Sequence, residues 1–296
     1  MQETFWQKRL RDVAAVLVVG IFMFPLFWWA LTSFKPTSAI FNKDEIVWFN
    51  FKPTLVNYAV TMLGKSRAEL AIESGNTFGV GGASSYDSRQ TIIDSLIIAV
   101  GATALTVLLA VIASYALSRM RFRWRQAYLN WILSQRFMPP IAIIVPVVFM
   151  FHYMSLLDTR LGLILVDTLI NLPIAVLLMK SFYDDVPVDV DEAAMIDGAS
   201  RLQIFWRVVL PMVKGGVAAT AVLCFIFSWT EFLLSLFLTN SIRTLPVKIT
   251  TFVTSTGSEW GFIAALGTTA VIPSFIFILL VQKQLVRGLT LGSLKE

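Results

Sequence analysis

Four polar residues in one apolar run, Cys224, Ser228, Glu231 and Ser235, are spaced four, three and four apart. That spacing puts them on one face of a helix. Asp167 and Asn171 share a face in a second run, and Gln135-Arg136 precedes Pro139-Pro140 in a third, a pair expected to break or kink that helix near mid-membrane. Such groups can line a watery path for a hydrophilic solute. They can also hold one helix to another, or, near a run's end, simply reach water. Covalent and metal chemistry are not indicated. Cys224 is the sole cysteine and His152 the sole histidine, both read as ordinary span residues. No disulfide can form within the chain, and neither a Cys/His metal set nor a Ser/His/Asp constellation exists.

A second group lies between two apolar runs, DEAAMIDGASRLQIFWRVVLP at 191–211. Pro187 ends what precedes it. Asp189 and Glu192 have capping-box spacing, which predicts a helix over 190–197. Gly198 suits the left-handed position that closes a helix. Ser200 and Gln203 repeat the box, so a second helix starts at Arg201. It carries Leu202, Phe205, Trp206 and Val209 at amphipathic spacing, and Leu210-Pro211 is expected to end it. A hairpin lying flat on a bilayer would account for Phe205 and Trp206. It would not account for Glu192-Ala193-Ala194 before a glycine turn. A two-turn helix is marginal alone, and small alanines permit close approach, so docking into a partner's groove is the natural use.

The elements that position these residues are membrane spans. The chain is 56% hydrophobic and 15% charged, with mean hydropathy +0.73, against about 25% charged for a soluble domain. A spanning helix needs about 20 mostly apolar residues. Six runs qualify, at 13–34, 92–118, 127–153, 161–182, 213–239 and 261–282. The first is longer than a signal-peptide core and lacks a small-residue cleavage site, so it reads as retained. Lys8, Arg9 and Arg11, then Arg119 to Arg125, then Arg201, Arg207 and Lys214, then Lys283, Arg287 and Lys295 all fall on one side of a six-span chain. The positive-inside rule makes that side cytoplasmic and puts both termini there. Arg243 and Lys248 are a mild exception. The net charge of +5 is topological, not a nucleic-acid footprint. In the long loop 35–91, SGNTFGVGGASS at 74–85 reads as flexible and exposed. Gly64-Lys65-Ser66 has the end of a phosphate-binding loop, but Ala59 stands where its first glycine belongs. This chain is not expected to bind ATP itself.

The hairpin resembles the EAA loop of ABC importer permeases: Glu192, Ala193, Ala194, Gly198, Val208, Leu210 and Pro211 stand at that motif's spacing. Val208 replaces a frequent Ile. Phe24-Pro25, Lys35-Pro36, YALSR at 115–119, FSWTEF at 227–232 and GLTLGSLK at 288–295 resemble the carbohydrate branch, of the maltose-permease type. Asp94 and Thr230 stand where that branch commonly has Asn. The resemblance covers nearly the whole chain. It implies an all-α, six-helix polytopic transmembrane domain over 1–296, with a periplasmic loop at 35–91 and a cytoplasmic coupling loop at 183–212. It also implies a multi-pass protein of a bacterial inner membrane, embedded in lipid. Its partners would be a second related permease, two ATPase subunits that carry ATP and Mg, and a periplasmic solute-binding protein; position alone points to 240–260 and 35–91 as the loops that touch it. Glu192, Ala193, Ala194, Asp197, Gly198, Leu210 and Pro211 would couple to an ATPase, and the tail 288–296 would reach toward it. The cargo would be a saccharide, polyol or acidic sugar, moved by alternating access.

Within that frame Arg136, Asp167, Asn171, Ser228 and Glu231 are the candidate translocation path. A straight helix from 127, at about 1.5 Å per residue, puts Arg136 about 13 Å deep. A charge there pairs with an acid, Asp167 or Glu231, or meets an anionic group of the solute. Two rivals remain. A stand-alone secondary transporter or channel has no use for the hairpin, and a membrane-embedded enzyme needs a catalytic set that is missing.

Overall fold

The computed structural model describes residues 5–42, 46–65, 86–254 and 257–292. The glycine- and serine-rich stretch at 74–85 lies outside them. Four helices are long and apolar enough to cross a bilayer unaided: α1 (Phe5–Ser33), α4 (Arg89–Arg119), α7 (Arg160–Asp184) and the Trp260–Gln282 part of α13 (Trp260–Gly292). Two bent pairs pass the same test of length and apolarity only when each is taken as one span. α5 (Arg125–Gln135) meets α6 (Pro140–Tyr153) at 97°, and α9 (Arg201–Met212) meets α10 (Lys214–Trp229) at 74°.

Two of the expected spans are therefore broken, one at the prolines expected to break it and one where no break was expected. The run 127–153 breaks at 136–139, where Pro139 is extended (φ −68°, ψ 129°) and Pro140 opens α6. A proline has no N–H to donate and pushes its predecessor out of the helical region. The run 213–239 breaks at Thr230–Phe232, and a separate α11 (Leu233–Leu238) follows. The first span starts early, so Lys8, Arg9 and Arg11 lie on α1, not before it.

The chain divides into two compact units. One comprises residues 1–90 and 248–271. Here α2 (Thr37–Ile40), α3 (Val56–Leu63) and a short hairpin of β1 (Val253–Thr254) and β2 (Gly257–Ser258) accompany α1 and the start of α13. Asn57 donates to the carbonyls of Ser33 (2.8 Å) and Lys35 (3.1 Å). Lys35 Nζ donates to Val47 O at 2.6 Å and lies 3.9 Å from the Trp28 ring. Gly64, at φ +66°, closes α3.

The other unit comprises residues 91–247 and 272–296. One apolar cluster joins α4, α7, α9 and α10 through Tyr115, Met179, Tyr183, Ile204, Phe205, Val209 and Cys224. A second joins α4, α6, α7 and α11 through Ile98, Phe151, Leu163 and Leu234. At the α7 end remote from the 185–200 hairpin, Asp158 ties two loops together. Its carboxylate accepts from the backbone N–H groups of Asn240, Ser241 and Ile242 at 3.0 Å each, and from the Ser241 hydroxyl at 2.6 Å. Partial burial alone would raise its pKa. The four donors outweigh that and hold the carboxyl at about 2.

Candidate functional site

The hairpin starts at Pro187, which is extended and opens α8 (Val188–Ile196) with no side-chain cap. The capping box expected at Asp189 and Glu192 is not made. The helix begins too early for it, because Pro187 itself supplies the extended entry and the missing N–H costs nothing there. Asp189 and Asp191 occupy the first turn, where carboxylates favour the helix dipole. At the far end Gly198 has φ +83°. Its N–H donates to Met195 O and that of Ala199 to Ala194 O, both at 3.0 Å. This paired closure is a Schellman turn.

Ser200 and Gln203 do form the expected box: Ser200 N donates to Gln203 Oε1 at 2.8 Å, and Gln203 N to Ser200 Oγ at 3.4 Å. α9 then runs on through Pro211 to Met212, so Leu210-Pro211 does not end it. The reason lies just upstream. Ile204–Val209 is wound as a π-helix. Wider winding relieves the clash between a proline ring and the carbonyl four residues earlier. The turn falls instead at Val213.

Ile204, Phe205 and Val209 are buried and anchor the hairpin. Ala194 is half-buried against the same cluster. Glu192, Ala193, Asp197, Gly198 and Pro211 are exposed, and Leu210 is half-buried. Ile196 and Leu202 are 86% and 68% exposed. The hairpin thus presents two acids, Glu192 and Asp197, two small residues, Ala193 and Gly198, and exposed apolar side chains around one turn.

The second candidate group lies between α7 and α10. Asn171 Nδ2 donates to Ser228 Oγ at 3.0 Å, and both residues are buried. Asp167, also buried, interacts with Ser228 and at longer range with Glu231. Its Oδ1 has no hydrogen-bond partner among the described residues. Glu231 does not continue the face of Cys224 and Ser228, because the helix has ended. Its carboxylate accepts from the N–H groups of Leu234 (2.7 Å) and Ser235 (3.0 Å) and from Ser235 Oγ (3.1 Å). It starts α11 by supplying acceptors to its orphan donors.

Arg136 stands at the elbow between α5 and α6, where the straight-helix depth no longer applies. It is exposed, and its guanidinium carbon lies 5.4 Å from the Phe227 ring centroid. It pairs with neither Asp167 nor Glu231. The first is turned into its polar group with Ser228, and the second is spent on α11. With Trp131, Gln135, Met138, Leu169 and Pro173, Arg136 lines a cavity of about 480 Å³.

Residues 106–291 match the family model of the binding-protein-dependent transport system inner membrane component. A sulfoquinovosyl glycerol transport system permease of Agrobacterium fabrum is 32% identical over 293 residues, covering 98% of this chain and 95% of that one. The chain belongs to that family. A trehalose transport system permease of Mycobacterium tuberculosis is 31% identical over 296 residues, with 99% and 97% covered. The crystal structure of a bacterial ABC transporter involved in import of the acidic polysaccharide alginate shares the fold. Its TM-score is 0.70 at 19% identity, covering 96% of this chain and 99% of that one.

This permease also holds its shape through pairings that the sequence did not announce. Arg160 Nε donates to buried Asp94 Oδ1 at 2.7 Å, joining the starts of α7 and α4. Asp158 clasps the loop at 240–242. Arg119 meets Asp191 at the hairpin. In each, the partners are far apart in the chain, so no short spacing announces them.

Proposed function

We propose that this permease carries a saccharide, a related polyol or an acidic sugar across a bacterial inner membrane, by alternating access in an ATP-driven importer. α8 is the coupling helix, seated in a groove of an ATPase subunit. The observation that carries the reading is the Gly198 turn, which holds Glu192, Ala193, Ile196 and Leu202 outward, uncovered by any of the described residues. The relatives that transport sulfoquinovosyl glycerol and trehalose support a sugar or glycoside cargo. Two ATPase subunits supply ATP and Mg, a second related permease completes the membrane body, and a periplasmic binding protein delivers solute. Both termini and the hairpin face the cytoplasm, and the 35–91 loop faces outward. Asp167, Asn171, Ser228 and the Arg136 cavity form the polar side of the path. Glu231 shapes that side by starting α11.

The test is affinity purification of the tagged permease from its native membrane, with mass spectrometry of proteins and bound small molecules. Recovery of a second permease and ATPase chains with a sugar supports the proposal. A chain recovered alone that still transports in liposomes without ATP overturns it.

A further inference from the structure

A buried charge pair ties the hairpin to the body. Arg119 ends α4, and Asp191 lies in the first turn of α8. Their side chains are 9% and 5% exposed, and Arg119 Nε lies 3.0 Å from Asp191 Oδ2. The N–H is not aligned for a hydrogen bond there, so the link is charge against charge. Arg119 Nη2 donates to Val186 O at 2.7 Å, and the Tyr115 hydroxyl donates weakly to Asp191 Oδ1 at 3.4 Å. The Tyr115 ring packs on Phe205 of α9, with centroids 4.8 Å apart, and on Tyr183 of α7, at 5.6 Å. The last turn of α4 therefore holds the linker before α8, α8 itself and α9.

The pair has a mechanical consequence. Separating two buried charges leaves each without compensation, so the contact resists withdrawal of α8 from α4. Coulomb attraction varies with distance, not with donor angle, whereas a hydrogen bond weakens steeply off axis. The contact therefore tolerates rotation while opposing separation. The neighbouring bond from Ser118 Oγ to Asp184 Oδ1, at 2.6 Å, is exposed, and water competes for it.

We propose that Arg119 and Asp191 are positioning residues that deliver movement of α8 to α4, beside the covalent routes through α7 and α9. The proposal rests on α8 being the coupling helix. The covalent route to α7 passes through the three-residue link Asp185–Pro187, which a direct clamp bypasses.

The test uses the assembled importer in liposomes, with ATP hydrolysis and solute uptake measured together. Asp191→Asn keeps the side-chain size and removes the charge. The complex should assemble and hydrolyse ATP, while uptake per ATP falls about fivefold or more, the range of an allosteric coupling. Arg119→Met/Asp191→Leu removes both charges and leaves none unpaired, so it folds where a single variant fails to. Uptake per ATP should stay low in it too. Parental uptake per ATP in the double variant, or a single variant whose hydrolysis and uptake fall in proportion, assigns the pair a structural role and overturns the proposal. Ile196→Asp, on the exposed face of α8, tests the underlying reading separately. It should release the ATPase subunits, and normal co-purification and uptake there would reject the coupling helix itself, whatever Asp191→Asn does.

Discussion

Replacing Gly198 by Val isolates the backbone of the hairpin turn from its contacts. Gly198 has φ +83°, and a Cβ built on it would meet no heavy atom within 4 Å. The substitution therefore causes no clash. What it adds is the left-handed penalty of an L-residue, about 1–2 kcal/mol, with the branched Cβ at the upper end. That energy shifts the turn population about 5- to 30-fold. Once the residue leaves the left-handed region, the bonds from Gly198 N to Met195 O and from Ala199 N to Ala194 O are lost. α8 then loses its fixed angle to α9. The spans stay in place, because Ile204, Phe205 and Val209 remain buried under α9. Expression and detergent stability should match the parent, while ATPase co-purification and solute uptake fall by about that 5- to 30-fold factor. Gly198→Asn should be milder, since Asn visits the left-handed region more readily. Normal uptake in Gly198→Val would refute the coupling assignment. Equal loss in Val and Asn variants would show that side-chain volume, not backbone strain, is what matters.

A cysteine at exposed Lys52 should react with an impermeant thiol reagent from outside, and one at exposed Ser200 only from inside; the reverse pattern would overturn the topology. Asp158 is depressed to about 2 from an ordinary 3.8, so its contribution is present above 3.8 and lost as pH falls toward 2. Asp158→Asn should lower Tm at pH 7 and flatten its fall between pH 4 and 2, both read by thermal shift, and an unchanged acid profile would discount the clasp. Arg136→Gln should leave assembly intact and selectively reduce uptake of an acidic sugar, because the native guanidinium pairs with neither Asp167 nor Glu231 and has no acid partner among the described residues. Loss of yield with uniform loss for all solutes would make the residue structural.

The spans were legible because a bilayer demands about 20 apolar residues and little else. The hairpin was legible because its end signals are local: Gly198 and the Ser200–Gln203 box each act within a few residues. The break at 136–139 was legible for the same reason, since two prolines announce it. The break at Thr230–Phe232 carries neither proline nor glycine. It depends on where the Glu231 carboxylate turns, which helical spacing cannot show, and the even polar face read through 224, 228, 231 and 235 was the wrong geometry in consequence. The π-helical turn at Ile204–Val209 was hidden likewise, though Pro211 was the clue. Arg160 with Asp94 and Asp158 with Ser241 are separated by 66 and 83 residues. Pairs at that range are properties of the packed helices, not of any stretch of chain.

The elbows at 136–139 and 230–232 share a physical logic that bears on the path. A broken helix in a bilayer must satisfy the backbone donors it frees, or face water or protein. At 136–139 the N–H groups of Arg136, Phe137 and Met138 donate to Leu133, Ser134 and Gln135 carbonyls at 3.0–3.3 Å, and Pro139 and Pro140 have none to satisfy. At 230–232 the Glu231 carboxylate takes the first donors of α11. Each break thus satisfies several of its freed donors within the chain. The unmet polarity is in side chains: the Arg136 guanidinium beside its cavity and the Asp167 Oδ1 among Asn171 and Ser228. On the proposed reading of the path, the Arg136 guanidinium and the Asp167 Oδ1 are the groups that a solute would meet, and the two breaks are what turn the neighbouring backbone aside there.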